Sequence, residues 1–544
     1  MKKKILICDH EKYSETDRNN YDTIYILDKS HKSSEYKNVF FIHLPLYFMR
    51  AHKETRVLNK LIFDKLMLND KNVFLILSLF KHSDVELFRA MRLVLIARDY
   101  CSENDTVVVK ADYSNLIIPL IKILNIQLQI QVPKVTKTFQ FNFYGIKLFG
   151  ALLVYLFNSF LVPKGKEKNV FFLWNDPVSY EFTKPYLSNN LITYPFFGNN
   201  FYIKKIHYDE KKIIKYRFIC MKELKDGIKQ YFKNLILINE INIDKEFKKL
   251  FKNKLLFLEM NSMMILSLKS KYTHLQNIVG LFDTYSSIDY VTSNLNQKYN
   301  IATLCIPHGI NFKYKVNYIS YGVNTYTFWS KDHLDRMENN TLVKNEHVDK
   351  KITGNIVYNK TFHSKCTNLA PTKSILIVGE YFPNDDYYSS PFNEDTSKKF
   401  FDTVNKFSIK YPEVKITIRT RLSDGYYELA KQYVSDRITL SSPDHNIINE
   451  ICHHDLIVSV FSNVLHEALI LEKKVLQVNL FEIENYRDLA KDNLVYYADT
   501  EAKFYQTLEE WYHNKLSTIN YDFHLIKYCN GCEYEKLNFS EETI

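Results

Sequence analysis

Short apolar runs alternating with amphipathic stretches of helix length predict an α/β fold, with doubly wound parallel sheets in two halves. Three observations carry that prediction. Strand-like runs recur through the first 135 residues, a less regular series ends at 303–309, and the alternation becomes regular from 373 to 479. Parallel strands need crossover connections, and the helices in those crossovers bury both sheet faces. The 544 residues suffice for about three or four structural units. With 46% hydrophobic and 25% charged residues, the chain is neither disordered nor fibrous, and its 12 glycines and 13 prolines argue against low-complexity sequence and a glycine-fingered dinucleotide loop.

In the N-terminal region the strand-length runs are 4–8, 23–27, 39–42, 73–77 and 106–109, with a helical stretch at 84–97. Residues 144–162, YGIKLFGALLVYLFNSFLV, form the most apolar segment, interrupted only by Lys147, Asn158 and Ser159. Spanning a bilayer takes about 20 clean apolar residues, so this segment falls slightly short and three readings compete: a buried helix, an interfacial helix and a true span. The basic PKGKEK that follows reads as a sub-boundary near 163–168, and a fresh strand opens at 169–174. A helix-like stretch at 293–299 precedes the strand ending in TLCIPHG. The C-terminal series then runs strand 374–379, helix 396–410, strand 414–420, helix 426–434, strand 437–440, helix 447–452, strand 455–461, helix 462–471 and strand 474–478. The expected organisation is an α/β region over 1–335, a crossover over 336–372, a second domain over 373–515 and a tail over 516–544.

The net charge of +10, from 72 Lys and Arg against 62 Asp and Glu, permits anionic partners without demanding them. Lysines stand singly or in pairs among Tyr, Phe, Ile and Asn, so no nucleic-acid partner is expected. MKKKILICDH offers only about four apolar residues before Asp9, too few for a signal-peptide core. The eight cysteines are scattered, unlike a secreted disulfide framework. A cytoplasmic protein with reduced thiols is the expectation.

Ligands of open α/β sheets bind beyond the carboxyl ends of the strands. In the C-terminal half that rule selects Gly379, Glu380 and Tyr381, Arg419 and Arg421, Ser441 and Ser442, and Ser459, Phe461, Ser462 and Asn463. Ser462 stands where a strand gives way to a helix: its hydroxyl and the first-turn N–H groups suit a phosphate, or an ordinary N-cap. Asn463 and Glu467, four residues apart, share a helix face, where the carboxylate could accept from ribose hydroxyls or simply be solvated. Arg419 and Arg421 flank Thr420 and suit bidentate contacts to phosphate or a sugar carboxylate, or surface ion pairs. His308, with Gly309 beside it, follows a buried-looking strand as a candidate base or donor, or as a structural histidine. Asp9 and His10 follow the first strand, and Asn175 and Asp176 follow 169–174. Asp176 is a candidate base, although Asp after a strand is also common turn chemistry. Adjacent Asp385 and Asp386 mark a substrate-facing loop or a simple turn. Cys529 and Cys532 have metal spacing without a second ligand pair, and His453 and His454 sit in a short helix as end-of-helix groups, so no metal site is assigned.

The segment 453–479, HHDLIVSVFSNVLHEALILEKKVLQVN, resembles the donor-domain pattern of the GT-B glycosyltransferase superfamily: a strand, a Ser-bearing turn, a helix carrying Glu, and a further strand. Glu472, Lys473 and Lys474 replace the usual Gly-Lys-Pro. IPHGINFKY (306–314) and ITGNIVYNK (352–360) are similar to the HG and crossover motifs of bacterial surface-polysaccharide transferases, including capsule and lipopolysaccharide enzymes and CDP-glycerol glycerophosphotransferases. Arg419, Thr420 and Arg421 stand where such enzymes often carry a His-Pro pair. The resemblance implies two Rossmann-like domains facing across a cleft, acceptor side at 1–335 and donor side at 373–515. It implies transfer of a sugar from a nucleotide-activated donor, CMP-activated acidic sugars among the candidates, to a surface glycan on a lipid carrier at the inner membrane face. No cofactor or bound metal is implied, because basic side chains and a helix N-terminus stabilise the leaving phosphate. On this reading Ser462 and Asn463 meet phosphate, Glu467 the ribose, Arg419 and Arg421 phosphate or a sugar carboxylate, and His308 the acceptor or phosphate. Gly379 and Glu380 complete the donor side, and Asp9, His10 and Gly309 the acceptor side. A glycerol- or ribitol-phosphate polymerase and a noncatalytic envelope scaffold are the rival readings.

Overall fold

The computed structural model describes residues 2–9, 12–28, 37–43, 83–133, 143–166, 168–173, 191–195, 217–280, 299–305, 323–340, 348–354, 373–379, 394–420, 425–442, 447–460, 462–480 and 488–529, with Cys366, His445 and scattered residues of 47–79. Three open parallel sheets follow one another along the chain. The first contains β1 (Lys4–Asp9), β2 (Thr23–Asp28), β3 (Val39–His43), β4 (Thr106–Lys110) and β5 (Gln129–Gln131), in the order β3-β2-β1-β4-β5. Alternate residues of β1 serve opposite faces. Ile7 packs into the core shared with α1 (Asp84–Tyr100) and α2 (Ile117–Leu124), whereas Leu6 and Cys8 pack with Ile24 and Ile26 on the other side. The strand expected at 73–77 is corrected, because Leu75 and Ile76 are buried and helical. A short apolar run alone does not separate a buried strand from a buried helix.

Helix α3 (Phe143–Leu161) leads to the second sheet of β6 (Asn169–Leu173), β7 (Leu191–Pro195), β8 (Asn277–Gly280), β9 (Ala302–Cys305), β10 (Thr325–Phe328) and β11 (Asp349–Ile352), in the order β11-β10-β9-β8-β6-β7. Between β7 and β8 lie α4 (Met221–Glu240) and α5 (Lys245–Lys271), packed on each other, and α6 (Lys331–Asn340) follows β10. The Asp244 side chain caps α5 by accepting the Glu246 N–H. Ile278, Tyr326 and Phe328 join the same apolar cluster as Ile7 and Val107, so the first two sheets share one core. Two sheets therefore lie within 1–335, on either side of the basic 163–168 stretch, and the second continues through β11 into the segment expected as crossover.

The third sheet has the order β14-β13-β12-β15-β16-β17, from β12 (Ser374–Val378), β13 (Lys415–Arg419), β14 (Ile438–Leu440), β15 (Leu456–Ser459), β16 (Lys474–Val478) and β17 (Tyr496–Ala498). It is doubly wound, as the alternation of residues predicts. Ile375, Ile377, Leu456 and Val458 face one cluster with Phe400, Phe401, Val404 and Phe407 of α7 (Glu394–Lys410), while Leu376, Val378 and Ile457 face the other. Helix α8 (Gly425–Lys431) follows β13, and α9 (Ile447–Cys452) and α10 (Val464–Ile470) cover the second face. After α11 (Asp488–Lys491) and β17, α12 (Glu501–Tyr512) packs beside α7 and α13 (Tyr521–His524) runs into a π-helical turn, Leu525–Cys529. Trp329, just after β10, belongs to this third-sheet core and joins the two six-stranded sheets.

The expectation of reduced thiols is corrected at one pair: Cys366 and Cys452, 86 residues apart, form a disulfide. Scatter along the chain says nothing about proximity in space, and here both residues pack into one apolar cluster. No helix among the described residues is long and apolar enough to cross a membrane.

Candidate functional site

The third sheet changes winding direction between β12 and β15, the point beyond whose strand ends open α/β sheets bind their ligands. Val378 pairs with Ser459 across it, and the Ser459 hydroxyl donates to the Val378 carbonyl at 2.9 Å. Gly379 continues β12, its N–H bonded to the Arg419 carbonyl at 2.8 Å. On the β15 side the chain turns into α10. There the Ser462 hydroxyl accepts the Val464 N–H at 3.4 Å, and the Ser462 carbonyl accepts the Leu465 N–H at 3.0 Å. Asn463 is the half-in residue before α10 and its carbonyl accepts the Glu467 N–H, so Asn463 and Glu467 stand one turn apart, both partly exposed. Two buried polar side chains follow at the end of the neighbouring strand: Gln477 donates to the Val460 carbonyl at 3.0 Å, and Asn479 to the Tyr497 hydroxyl at 3.0 Å.

Arg419 lies one strand away and is engaged by its own fold. Its Nη1 meets Glu450 of α9 at 2.6 Å and its Nη2 donates to the His445 carbonyl at 2.8 Å. Glu450 also accepts from the Ser441 hydroxyl, and His445 Nδ1 lies 3.3 Å from it. Two sequence candidates, Arg419 and Ser441, thus converge on a carboxylate that no motif singled out. Glu450 sits on an amphipathic turn between buried Ile448 and Ile451, which marks a helix face and gives no sign of its partner. His453 and His454 have the end-of-helix roles expected of them, their Nδ1 atoms 2.6 Å from the Asn449 and Glu450 carbonyls. The Thr417 hydroxyl lies 2.9 Å from His454 Nε2, and burial lowers the pKa of that imidazole below its ordinary value.

At the winding reversal of the first sheet, buried Asp9 accepts the Asp112 N–H at 2.9 Å and lies 3.3 Å from Lys12. Beside it Lys110 pairs with Asp17 at 2.5 Å. Burial alone would raise the Asp17 pKa, but hydrogen bonds from Lys110 and Ser14 outweigh it and hold that carboxyl below the usual range. His308, Gly309, Asp176, His10, Glu380 and Arg421 lie outside the described residues, as do Tyr381, Phe461, Asp385, Asp386 and Cys532. Of the sequence candidates, the structure sets Gly379, Ser459, Ser462, Asn463 and Glu467 at the third-sheet reversal point, Arg419 and Ser441 on the neighbouring Glu450, and Asp9 at the end of the central strand of a different sheet. Among the described residues no group of three or more His, Cys, Asp or Glu is arranged to hold a metal ion.

Three open parallel sheets, the third doubly wound with polar residues at the strand ends of its reversal point, define an α/β protein of the open-sheet class. Among solved structures the chain is similar to the S. aureus MnaA–UDP co-structure (12% identity over 65% of this chain and 92% of that one, TM-score 0.39). It is likewise similar to a UDP-GlcNAc 2-epimerase from Neisseria meningitidis bound to UDP-GlcNAc (13%, 65% and 95%, 0.39) and to the wall teichoic acid polymerase TagF (12%, 71% and 93%, 0.39). At this identity and score the likenesses add nothing to what the sheet topology shows. No protein-family model and no curated protein matches the chain.

Proposed function

We propose that the protein is a glycosyltransferase that moves a sugar from a nucleotide-activated donor to a bacterial surface glycan. The observation that carries the proposal is the winding reversal between β12 and β15, at whose strand ends Gly379 would let the donor approach the backbone and Ser462 and Asn463 would offer hydrogen-bonding groups to its phosphates. Glu467, one turn along α10, takes the ribose hydroxyls. Arg419, fixed by Glu450, and Arg421 supply positive charge beside the leaving phosphate. His308 serves the acceptor or phosphate and Asp176 acts as base, with Asp9, His10 and Gly309 on the acceptor side. The acceptor is a lipid-linked glycan of the capsule, O-antigen or lipooligosaccharide kind, met at the inner face of the membrane through 144–162, and no metal is required.

Thermal unfolding with CMP, CDP, UDP, GDP and their sugar conjugates, without metal, tests this reading. A ligand at about 100 times its Kd stabilises the folded state by about 2.7 kcal/mol. A selective shift that Glu467→Ala abolishes, in a variant that melts like the parent without ligand, supports the donor site. Stabilisation by CMP assigns an acidic-sugar donor, UDP or GDP a hexose donor, and CDP-glycerol or CDP-ribitol alone moves the reaction to polyol-phosphate transfer. Absence of any shift leaves a noncatalytic scaffold.

A further inference from the structure

Over its described side chains, 150–161, helix α3 is apolar on both sides, and among the described residues only one side is covered. Ala151, Tyr155, Asn158, Ser159 and Val162 are buried, whereas Leu153, Val154, Phe157, Phe160 and Leu161 face outward, with Phe157 64% and Phe160 80% accessible. The spacing makes these outward residues one stripe along the helix. Helix α4 repeats the arrangement independently. Met221, Ile228, Phe232 and Ile236 recur at intervals of seven, four and four and are all exposed, while Gly227, Asn234 and Ile238 are buried on the opposite side. The helices meet where α4 begins: the Ile219 N–H donates to the Tyr155 carbonyl at 3.0 Å, and the Asn158 side chain donates to the Arg217 carbonyl at 2.9 Å.

Both stripes carry the same charge at their margins. Lys222, Lys225, Lys229 and Lys233 form an exposed row on α4 adjoining its apolar row, and exposed Lys164, Lys166 and Lys168 follow the end of α3. None of the seven forms an ion pair with a described residue. Exposed Asp226 and Glu240 are the opposing charges on α4. Apolar side chains of this size beside a lysine row match the interface of a bilayer, where rings enter the headgroup layer and ammonium groups stay with lipid phosphate. A second copy of the chain is a poor occupant, because a two-fold contact would set lysine row against lysine row. Spanning is excluded for α3, whose Asn158 and Ser159 are held on its buried side.

We propose that the outer faces of α3 and α4 form one docking surface for a membrane rich in anionic headgroups, on which the protein lies without crossing. The proposal builds on the peripheral contact through 144–162 suggested above, adding a second helix and the charge of the lipid. Its test needs no donor, so it can fail while nucleotide binding stands, and the reverse.

The experiment is co-flotation of the full chain with vesicles of phosphatidylcholine alone or containing about a third phosphatidylglycerol. Binding to the anionic vesicles should be about ten-fold stronger, and should weaken as ionic strength rises from about 0.1 to 0.5 M. Phe157→Glu with Phe160→Glu on α3, Phe232→Glu with Ile236→Glu on α4, and the charge reversals Lys229→Glu with Lys233→Glu should each lower binding about ten-fold. The melting temperature of each variant, which alters exposed residues only, reports that it is folded. Equal flotation with neutral vesicles, no flotation, or folded variants that float like the parent overturns the proposal. So does a concentration-dependent dimer that these substitutions dissociate, since a second copy would then cover the face.

Discussion

At the scale of single residues, the most informative side chain is one the sequence did not offer. Arg419 and Glu450 are both mostly buried, and the carboxylate is shared with Ser441. Removing one partner of such a pair leaves the other charge poorly solvated, so Glu450→Ala should destabilise the third sheet by about 2–3 kcal/mol, somewhat below a fully buried pair because slight solvent access remains. Arg419→Met with Glu450→Leu should recover most of that loss, since an apolar pair of similar volume needs no compensation. Urea titration of these two variants separates two roles for Arg419. If Glu450→Ala leaves the midpoint unchanged and alters only nucleotide affinity, the ion pair is no part of the framework.

At the scale of elements, the α4–α5 hairpin depends on a close approach. Gly227 is buried on α4, and a Cβ there would lie 2.3 Å from Met263 Cγ and 2.4 Å from its Sδ on α5. Alanine is worth about 1 kcal/mol over glycine within a helix. Those contacts involve the middle of the Met263 side chain, which cannot swing clear as a free end would, so Gly227→Ala should be net destabilising by about 1–3 kcal/mol. Adding Met263→Ala should relieve the clash, and a Gly227→Ala protein at least as stable as the parent would contradict the close approach. This hairpin also marks the limit of what was legible in the sequence. The third sheet could be read almost strand by strand, because β12, β15 and β16 are buried on both faces and appear as largely apolar runs between turns, while β13 alternates buried Ile416 and Ile418 with more exposed polar residues. The division of 1–335 into two sheets showed as the basic 163–168 stretch between them, whereas their sharing of one core did not, because that depends on tertiary packing. At the site, strand ends located Gly379, Ser459 and Ser462. Glu450 escaped because its partner is set by tertiary packing, as did the proximity of Cys366 and Cys452.

At the scale of the whole molecule, the contact between the second and third sheets is built from neutral histidines, and this makes it sensitive to acid. Trp329 lies edge-on to His466 of α10, with ring centres 6.4 Å apart, and its backbone N–H donates to His333 Nδ1 of α6 at 3.2 Å. His466 Nδ1 lies 3.0 Å from His524 Nε2, and both rings lie against Tyr528, whose hydroxyl donates to Asp492 at 2.5 Å. The Arg336 guanidinium also lies over the Tyr528 ring, 5.9 Å from its centre. Burial, aided by Arg336, lowers the His333 pKa to about 3, and burial lowers that of His524 to about 3. His466 is held well below its ordinary value by burial, then by His524, Arg336 and His333. An imidazole depressed in the folded state binds its proton preferentially when unfolded, so stability rises with pH between the folded value and about 6.5 and is lost as pH falls through that window. Each fully shifted histidine then removes about 1.4 kcal/mol per pH unit, so acidification from pH 7 to 5 should cost about 2 kcal/mol for each of His333 and His524. Buried carboxylates such as Asp17, whose pKa is already lowered, work in the same direction only at lower pH. Calorimetric unfolding between pH 5 and 8 should therefore show a melting temperature that falls below pH 6.5. His333→Asn, which keeps an acceptor for the Trp329 N–H, combined with His524→Phe, should flatten that dependence while shifting the plateau above pH 7 far less. An undiminished slope in the double variant would assign the acid sensitivity elsewhere and leave the histidine contact as packing alone.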